Sequence, residues 1–333
     1  MMTLPNLFPM FIVALLWLAT GTRYIGWLKT RSLGQAIREE GPQAHHSKAG
    51  TPTMGGLLLL VLVVATFTGF TLVQPALMSV ASFWVILTLL LFGGLGVSDD
   101  WLKVTKQTND GISGWAKLGI QAGLGLGLGV WMMMAAGPHS AAISTLSFGP
   151  ASWGLSVNLG WLYPVFAMLV VTGASNAYNL TDGLDGLAAS SGYLTFMGFA
   201  VVLAARPDLM LWAVLLAGGC LGFLWFNRHP ARLFMGDTGS LALGGVMGVM
   251  GLLGKVELYL LLLCGLYVIE TLSVMLQVAY FKLTKGKRLF KMSPLHHHFE
   301  LCGWREPTIV LSFGLLQACF TLMALIVYHW SIA

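Results

Sequence analysis

Apolar residues fall in long runs over 7–27, 54–73, 80–98, 115–135, 158–177, 185–204, 208–226, 238–254, 257–281 and 308–330, with short polar segments between them. A hydrocarbon core about 30 Å thick takes about 20 residues of helix to cross, so each run predicts one membrane-spanning helix. The fold class expected is an all-α polytopic membrane protein, a single domain over 1–333 with about ten spans. Its loops at about 28–53, 99–114, 178–184, 227–237 and 282–307 then lie on one side. No basic residue precedes the first run, Arg23, Lys29 and Arg31 stand at its far end, and no small-residue cleavage site is present, which predicts a retained helix and not a signal peptide. The outer segment at 137–156 carries the alternating Ser144-Thr-Leu-Ser-Phe-Gly149, which predicts a short hairpin. Gly123, Gly125, Gly127 and Gly129 repeat within an apolar span and follow no strand, so they predict close helix packing rather than a nucleotide loop.

Composition agrees and adds sidedness. Hydrophobic residues make up 56% of the chain and charged ones 9%, against about 25% charged in a soluble domain, so the surplus apolar surface must face lipid. Of the 18 Lys and Arg residues, all but Arg206 and Lys255 fall in the loops after odd-numbered spans or at their margins. The positive-inside rule places those loops in the cytoplasm and both termini outside. Acidic residues are as one-sided: of 13, only Asp208, Glu257 and Glu270 lie elsewhere, which puts the chemistry on the cytoplasmic face. The net charge of +5 reflects this topology and calls for no nucleic acid. Cys220, Cys264, Cys302 and Cys319 form neither a disulfide framework nor a CxxC pattern.

Five polar stretches could carry chemistry. In Asn176-Ala-Tyr-Asn179-Leu-Thr-Asp182-Gly-Leu-Asp185-Gly186, the residues Asn179, Asp182 and Asp185 recur in steps of three, and a helix starting there would set them on one face of its first turns. Two carboxylates about 4 Å apart repel by roughly 1 kcal/mol in water and about 4 at an effective dielectric of 20, so such a face asks for a cation. Asp99 and Asp100 close the third span; as helical neighbours they diverge, so one can ligate a metal while the other accepts a proton. Lys103 stands where a DDxxD motif would have its last acid. Asp237, in Phe234-Met-Gly-Asp-Thr-Gly-Ser240, opens a helix and reads either as a metal ligand or as an N-cap. Lys48, before Thr51-Pro-Thr-Met-Gly-Gly56, reads as a phosphate contact or a basic membrane anchor. His296, His297 and His298 follow Pro294; zinc is disfavoured because consecutive side chains diverge and the other candidate ligands are carboxylates, which suit Mg²⁺. Glu270, inside a span, reads as a buried polar contact.

Together, Thr51 to Gly56, Ser98-Asp-Asp100, Asn176 to Gly186, Phe234 to Ser240 and Lys291-Met-Ser-Pro-Leu-His-His-His-Phe-Glu300 resemble the phospho-N-acetylmuramoyl-pentapeptide transferases, within the polyprenyl-phosphate N-acetylhexosamine-1-phosphate transferase superfamily. The resemblance runs almost the whole chain, and the histidine run separates this branch from relatives that use UDP-GlcNAc. It implies transfer of phospho-MurNAc-pentapeptide from UDP-MurNAc-pentapeptide to undecaprenyl phosphate, giving lipid I and UMP with Mg²⁺, the first membrane step of peptidoglycan synthesis. By the same resemblance Asp237 holds Mg²⁺, Asp99 is the base toward the lipid phosphate, and Asp100 stands beside it. Asn179, Asp182, Asp185 and Asn227 shape the nucleotide and metal site, His296 to His298 meet the diphosphate, and Lys48 assists with phosphate charge. A bacterial cytoplasmic-membrane location and a homodimer are implied too. A transporter reading fits poorly, because the polar motifs gather at one face and no inverted repeat is visible.

Overall fold

The computed structural model describes residues 4–31, 50–106 and 111–332. In chain order the helices are α1 (Leu4–Thr30), α2 (Gly55–Val73), α3 (Val80–Lys106), α4 (Gly114–Ala136) and the short α5 (Ser140–Ser144). After an outer hairpin come α6 (Tyr163–Thr181), α7 (Leu187–Val202), α8 (Pro207–Asn227), α9 (Gly236–Leu253), the short α10 (Leu260–Leu263), α11 (Gly265–Leu283), α12 (Leu295–Leu301) and α13 (Glu306–Ile332). Each of the ten apolar runs contains helix, the ninth divided between α10 and α11, and the chain is an all-α polytopic membrane protein. Among the described residues, eight helices are long and apolar enough to cross a membrane. The other two are α6, whose last turns carry Asn176 and Asn179, and α7, which has 16 residues.

Three expectations change in detail. The ninth span starts later than its apolar run, at Gly265, because the chain first makes the separate turn of α10. Asn179, Asp182 and Asp185 do not share the first turns of one helix: Asn179 lies in the last turn of α6, Asp182 is its C-cap, and Asp185 lies in the turn before α7. The reason is Gly186, whose φ of 87° interrupts the helix and starts the next one. The outer hairpin forms as two three-residue antiparallel strands, β1 (Thr145–Ser147) and β2 (Ser156–Asn158), with Leu146 opposite Val157.

The two most buried helices, α8 and α9, form the centre. Lipid is as apolar as a leucine side chain, so helices in it associate through close packing and small residues rather than through the hydrophobic effect. Accordingly α9 is rich in glycine: a Cβ on Gly244 would fall 2.5 Å from the Ala174 carbonyl of α6, and one on Gly245 would fall 2.3 Å from the Phe92 ring of α3. In α4 only alternate members of the glycine series pack: Gly125 and Gly129 face α6, whereas a Cβ on Gly123 or Gly127 would meet nothing within 4 Å. Helices α1, α11 and α13 turn side chains such as Leu15, Leu276 and Leu315 outward.

The charged residues of the opposite end satisfy one another. Asp208 pairs with Arg206 at 3.1 Å and accepts the Ser79 hydroxyl at 2.7 Å. Glu257 pairs with Lys255 and accepts the Tyr163 hydroxyl at 2.8 Å, while Lys255 also donates to the Ile143 carbonyl at 2.6 Å. This locks the hairpin segment to the bundle.

Candidate active site

At the other end of the bundle the C-termini of α3, α6 and α8 meet the N-termini of α2, α7, α9 and α13. The segment before α2 runs beside the segment before α9: Phe234 N–H donates to the Pro52 carbonyl at 2.8 Å, and Gly55 and Gly56 donate to the carbonyls of Phe234 and Met235 at 2.8 and 2.9 Å. Such closeness is possible only without a side chain at residue 56, where a Cβ would lie 2.1 Å from the Gly239 nitrogen.

Asp99 and Asp100 diverge as neighbouring helical residues must. Asp100 turns to the start of α9, where Oδ1 accepts the Asp237 N–H at 3.0 Å and Oδ2 accepts the N–H and hydroxyl of Thr238 at 3.0 and 2.6 Å. The first N–H groups of a helix have no partner within it and favour an anion, and Met235, at the N-cap position, offers no side-chain cap. Asp100 therefore caps α9 from another helix and sets the direction of the Asp237 side chain. Gly236, with φ 74°, leaves the room, since a Cβ there would fall 2.4 Å from Asp100 Oδ2.

Asp99 is wholly buried. Its Oδ1 accepts the Ile112 N–H at 2.7 Å and lies 2.8 Å from Lys117 Nζ, and its Oδ2 lies 2.6 Å from Lys103 Nζ. Asp237 completes the group: Oδ1 accepts from Asn179 Nδ2 at 3.0 Å, and Oδ2 lies 2.7 Å from Lys117 and 3.3 Å from Lys103. Asn179 also donates to the Ser240 hydroxyl at 2.7 Å, which fixes its amide. Asp99, Asp100 and Asp237 each offer an oxygen within 4.8 Å of the others. A donor set of carboxylate oxygens alone fits a hard divalent cation such as Mg²⁺ or Mn²⁺.

A second group adjoins the first through the α6–α7 turn. Burial pushes the Asp182 carboxyl up to about 7, and the carboxylates of Asp237, Asp100 and Asp185 add to the shift. Asp185 accepts the Ala231 N–H at 3.0 Å and meets His229 Nδ1 at 3.1 Å, and its own N–H donates to Glu306 at 2.6 Å. Asn227 is buried and braces two segments, accepting the Gly186 N–H and donating to the Leu233 carbonyl, each at 2.9 Å. The three histidines on α12 point differently. His296 is wholly buried, 3.3 Å from Glu270, with Gly183 so close that a Cβ there would lie 2.3 Å from its Nε2. Glu270 also accepts the Leu295 N–H at 2.7 Å, so it anchors the start of α12 from within α11. His297 pairs with Glu300 at 2.6 Å, and His298 accepts the Lys291 N–H at 3.1 Å. Lys48 lies outside the described residues.

The model of glycosyl transferase family 4 matches residues 82–255, and a phospho-N-acetylmuramoyl-pentapeptide-transferase signature matches residues 48–60. A phospho-N-acetylmuramoyl-pentapeptide-transferase of Desulfotalea psychrophila is 43% identical over 93% of this chain and 89% of its own length. Enzymes of the same name from Halalkalibacterium halodurans and Rubrobacter xylanophilus are 44% and 41% identical, over 92% and 93% of this chain and 92% and 93% of their own lengths. The chain belongs to the phospho-N-acetylmuramoyl-pentapeptide-transferase family. Family membership agrees with the resemblance carried by the sequence motifs, and it disfavours the UDP-GlcNAc branch. What the motifs did not name are Lys117, the Gly111–Ile112 turn over Asp99, and the His229 and Glu306 partners of Asp185. For Lys117 a signal was there, since it is the only charged residue in the run 115–135 and a charge at the edge of a span needs a reason. The others have no sequence signal: Gly111, Ile112 and His229 lie in loops and Glu306 opens α13, and only the fold joins them to their partners.

Proposed function

We propose that this protein transfers phospho-N-acetylmuramoyl-pentapeptide from UDP-MurNAc-pentapeptide to undecaprenyl phosphate. An oxygen of the acceptor phosphate attacks the sugar-bearing phosphorus of the donor, the bond to the uridylyl phosphate breaks, and UMP leaves with that oxygen. The observation that carries the reading is the cluster of Asp99 and Asp237 with two lysines, set at one end of a multi-pass bundle, in a chain of this family. A lipid-anchored acceptor and a water-borne donor can meet only at such an end. Two anionic phosphates must approach each other, so neutralisation of charge is the main task.

Asp237 and Asp99 are the residues that would hold Mg²⁺, which when bound supplies charge stabilisation to the phosphates. Asp99, the more buried of the two, takes the proton of a monoanionic acceptor phosphate on the carboxylate oxygen not given to the metal. Asp100 caps α9 and keeps Asp237 aimed, and Asn179 holds the other Asp237 oxygen. Asp182 and Asp185 line the nucleotide side, braced by Asn227. His297 and His298 face the diphosphate, while buried His296 supports the Asp182 turn. Lys48 adds positive charge to the same face. The reading places the protein in the bacterial cytoplasmic membrane as a homodimer, both termini outside and the site on the cytoplasmic face, in keeping with the positive-inside count.

The test is UMP release by purified protein given undecaprenyl phosphate and either UDP-MurNAc-pentapeptide or UDP-GlcNAc, with Mg²⁺ or with EDTA. Metal-dependent release from the muramoyl donor alone is expected. Release from UDP-GlcNAc instead would move the protein to a sister branch, and release in EDTA would remove the metal assignment.

A further inference from the structure

Lys103 and Lys117 arrive from different helices, yet their ammonium groups do the same thing. Lys103 sits one turn beyond Asp99 on α3, and Lys117 lies in the opening turns of α4. Each Nζ lies between the same two carboxylates: Lys103 at 2.6 Å from Asp99 and 3.3 Å from Asp237, Lys117 at 2.8 and 2.7 Å. Lys117 also stands where the helix dipole disfavours a cation, so its position answers to the acids and not to its own helix. Two carboxylates this near one another repel, and each ammonium stands between them as a divalent ion held by the same two residues would. The lysine side chains are 29% and 19% exposed, whereas Asp99 is wholly buried. Their long flexible stems can therefore turn outward while the acid stays in place.

We propose that Lys103 and Lys117 are resident counter-cations of a divalent-ion site: they hold Asp99 and Asp237 in register without the metal, and turn onto phosphate oxygens once a metal takes those carboxylates. Only the identity of the phosphates rests on the function proposed above. The exchange of cations rests on the four distances. It makes the lysines competitors of the metal and partners of the substrate, so one substitution should move metal affinity and turnover in opposite directions. A lysine that merely braced the fold would move both downward.

The full-length protein in detergent is titrated with Mn²⁺, with free ion read by electron paramagnetic resonance, for the wild type, Lys103→Gln, Lys117→Gln and the charge-keeping Lys117→Arg. Mn²⁺ binding is expected to tighten at least roughly tenfold in each Gln variant, because one unit charge at this range is worth more than one such factor at an effective dielectric of 20. Lys117→Arg should stay near the wild type, and UMP release should fall in both Gln variants. Unchanged or weaker Mn²⁺ binding in folded Gln variants overturns the proposal. A second measurement needs no variant: amine-reactive labelling of the wild type, read by peptide mass spectrometry, should show Lys103 and Lys117 becoming several-fold more reactive on adding Mn²⁺, and equal reactivity overturns it as well. Neither readout uses the donor or the acceptor lipid, so failure of the transferase reading would show separately, in the release assay.

Discussion

Asp100→Asn separates an acid that works on substrate from one that works through a helix. In the wild type three donors of α9, two backbone N–H groups and the Thr238 hydroxyl, converge on the two Asp100 oxygens at 2.6 to 3.0 Å. Asparagine keeps the shape but puts an NH₂ group against at least one of those donors, whichever way the amide turns. Losing a charge-assisted hydrogen bond and leaving a buried N–H unpaired comes to about 3 kcal/mol, and the anion–dipole interaction adds up to about 1. Relief of repulsion between Asp100 and Asp237 returns part of this, for a net loss of about 2 kcal/mol at an effective dielectric of 20. That is roughly 3 °C in the thermal midpoint of a chain this long. Asp237 loses its aim along with the helix start, so Mn²⁺ affinity should fall together with stability, and turnover by about a hundredfold, the effect of a misplacement of about 1 Å. Thermal unfolding in detergent, Mn²⁺ titration and UMP release are measured side by side, with Thr238→Val as the partner variant, whose cost should be less than additive with Asp100→Asn. Wild-type stability and Mn²⁺ affinity combined with abolished turnover would refute the capping role and return Asp100 to direct chemistry.

Asp237→Asn should insert and fold while losing nearly all turnover and most Mn²⁺ binding; near-normal turnover in the folded variant would defeat its assignment as the metal ligand. Asp182, held up to about 7 by burial, favours the neutral form in the fold. Because the folded value is raised, its contribution to stability is complete below pH 4 and is lost as pH rises through about 7. The metal-free Asp182→Asn variant should thus match the wild type near pH 4 and exceed it by up to about 4 kcal/mol at pH 8, read as a pH-dependent difference in thermal midpoint. Equal midpoints at both pH values would count against that shift. Gly56→Ala sets a Cβ 2.1 Å from the Gly239 backbone, which should cost about 3 kcal/mol or more in unfolding assays. Gly94→Ala, with nothing within 4 Å, should be neutral or stabilising by a few tenths of a kcal/mol.

Apolar runs by themselves determined that the chain is an all-α polytopic membrane protein, and the placing of polar segments determined that the acidic motifs fall between spans. Both follow from the solvent: a span that leaves its backbone unpaired or its charges in lipid is costly wherever its neighbours lie. That Asp99, Asp237 and Asn179 stand at span ends was legible as well, because polar residues there are few and each needs a reason. Tertiary structure alone decided their partners. Asp100 caps a helix that starts at Gly236, Lys117 reaches back to Asp99 and Asp237, and His296 turns inward to Glu270 while His297 does not. Those outcomes depend on which helices come close enough to share a hydrogen bond, and that in turn depends on contacts such as Gly56 against Gly239. A one-dimensional pattern records which face of a helix meets lipid, and it holds no record of the distance between two helices.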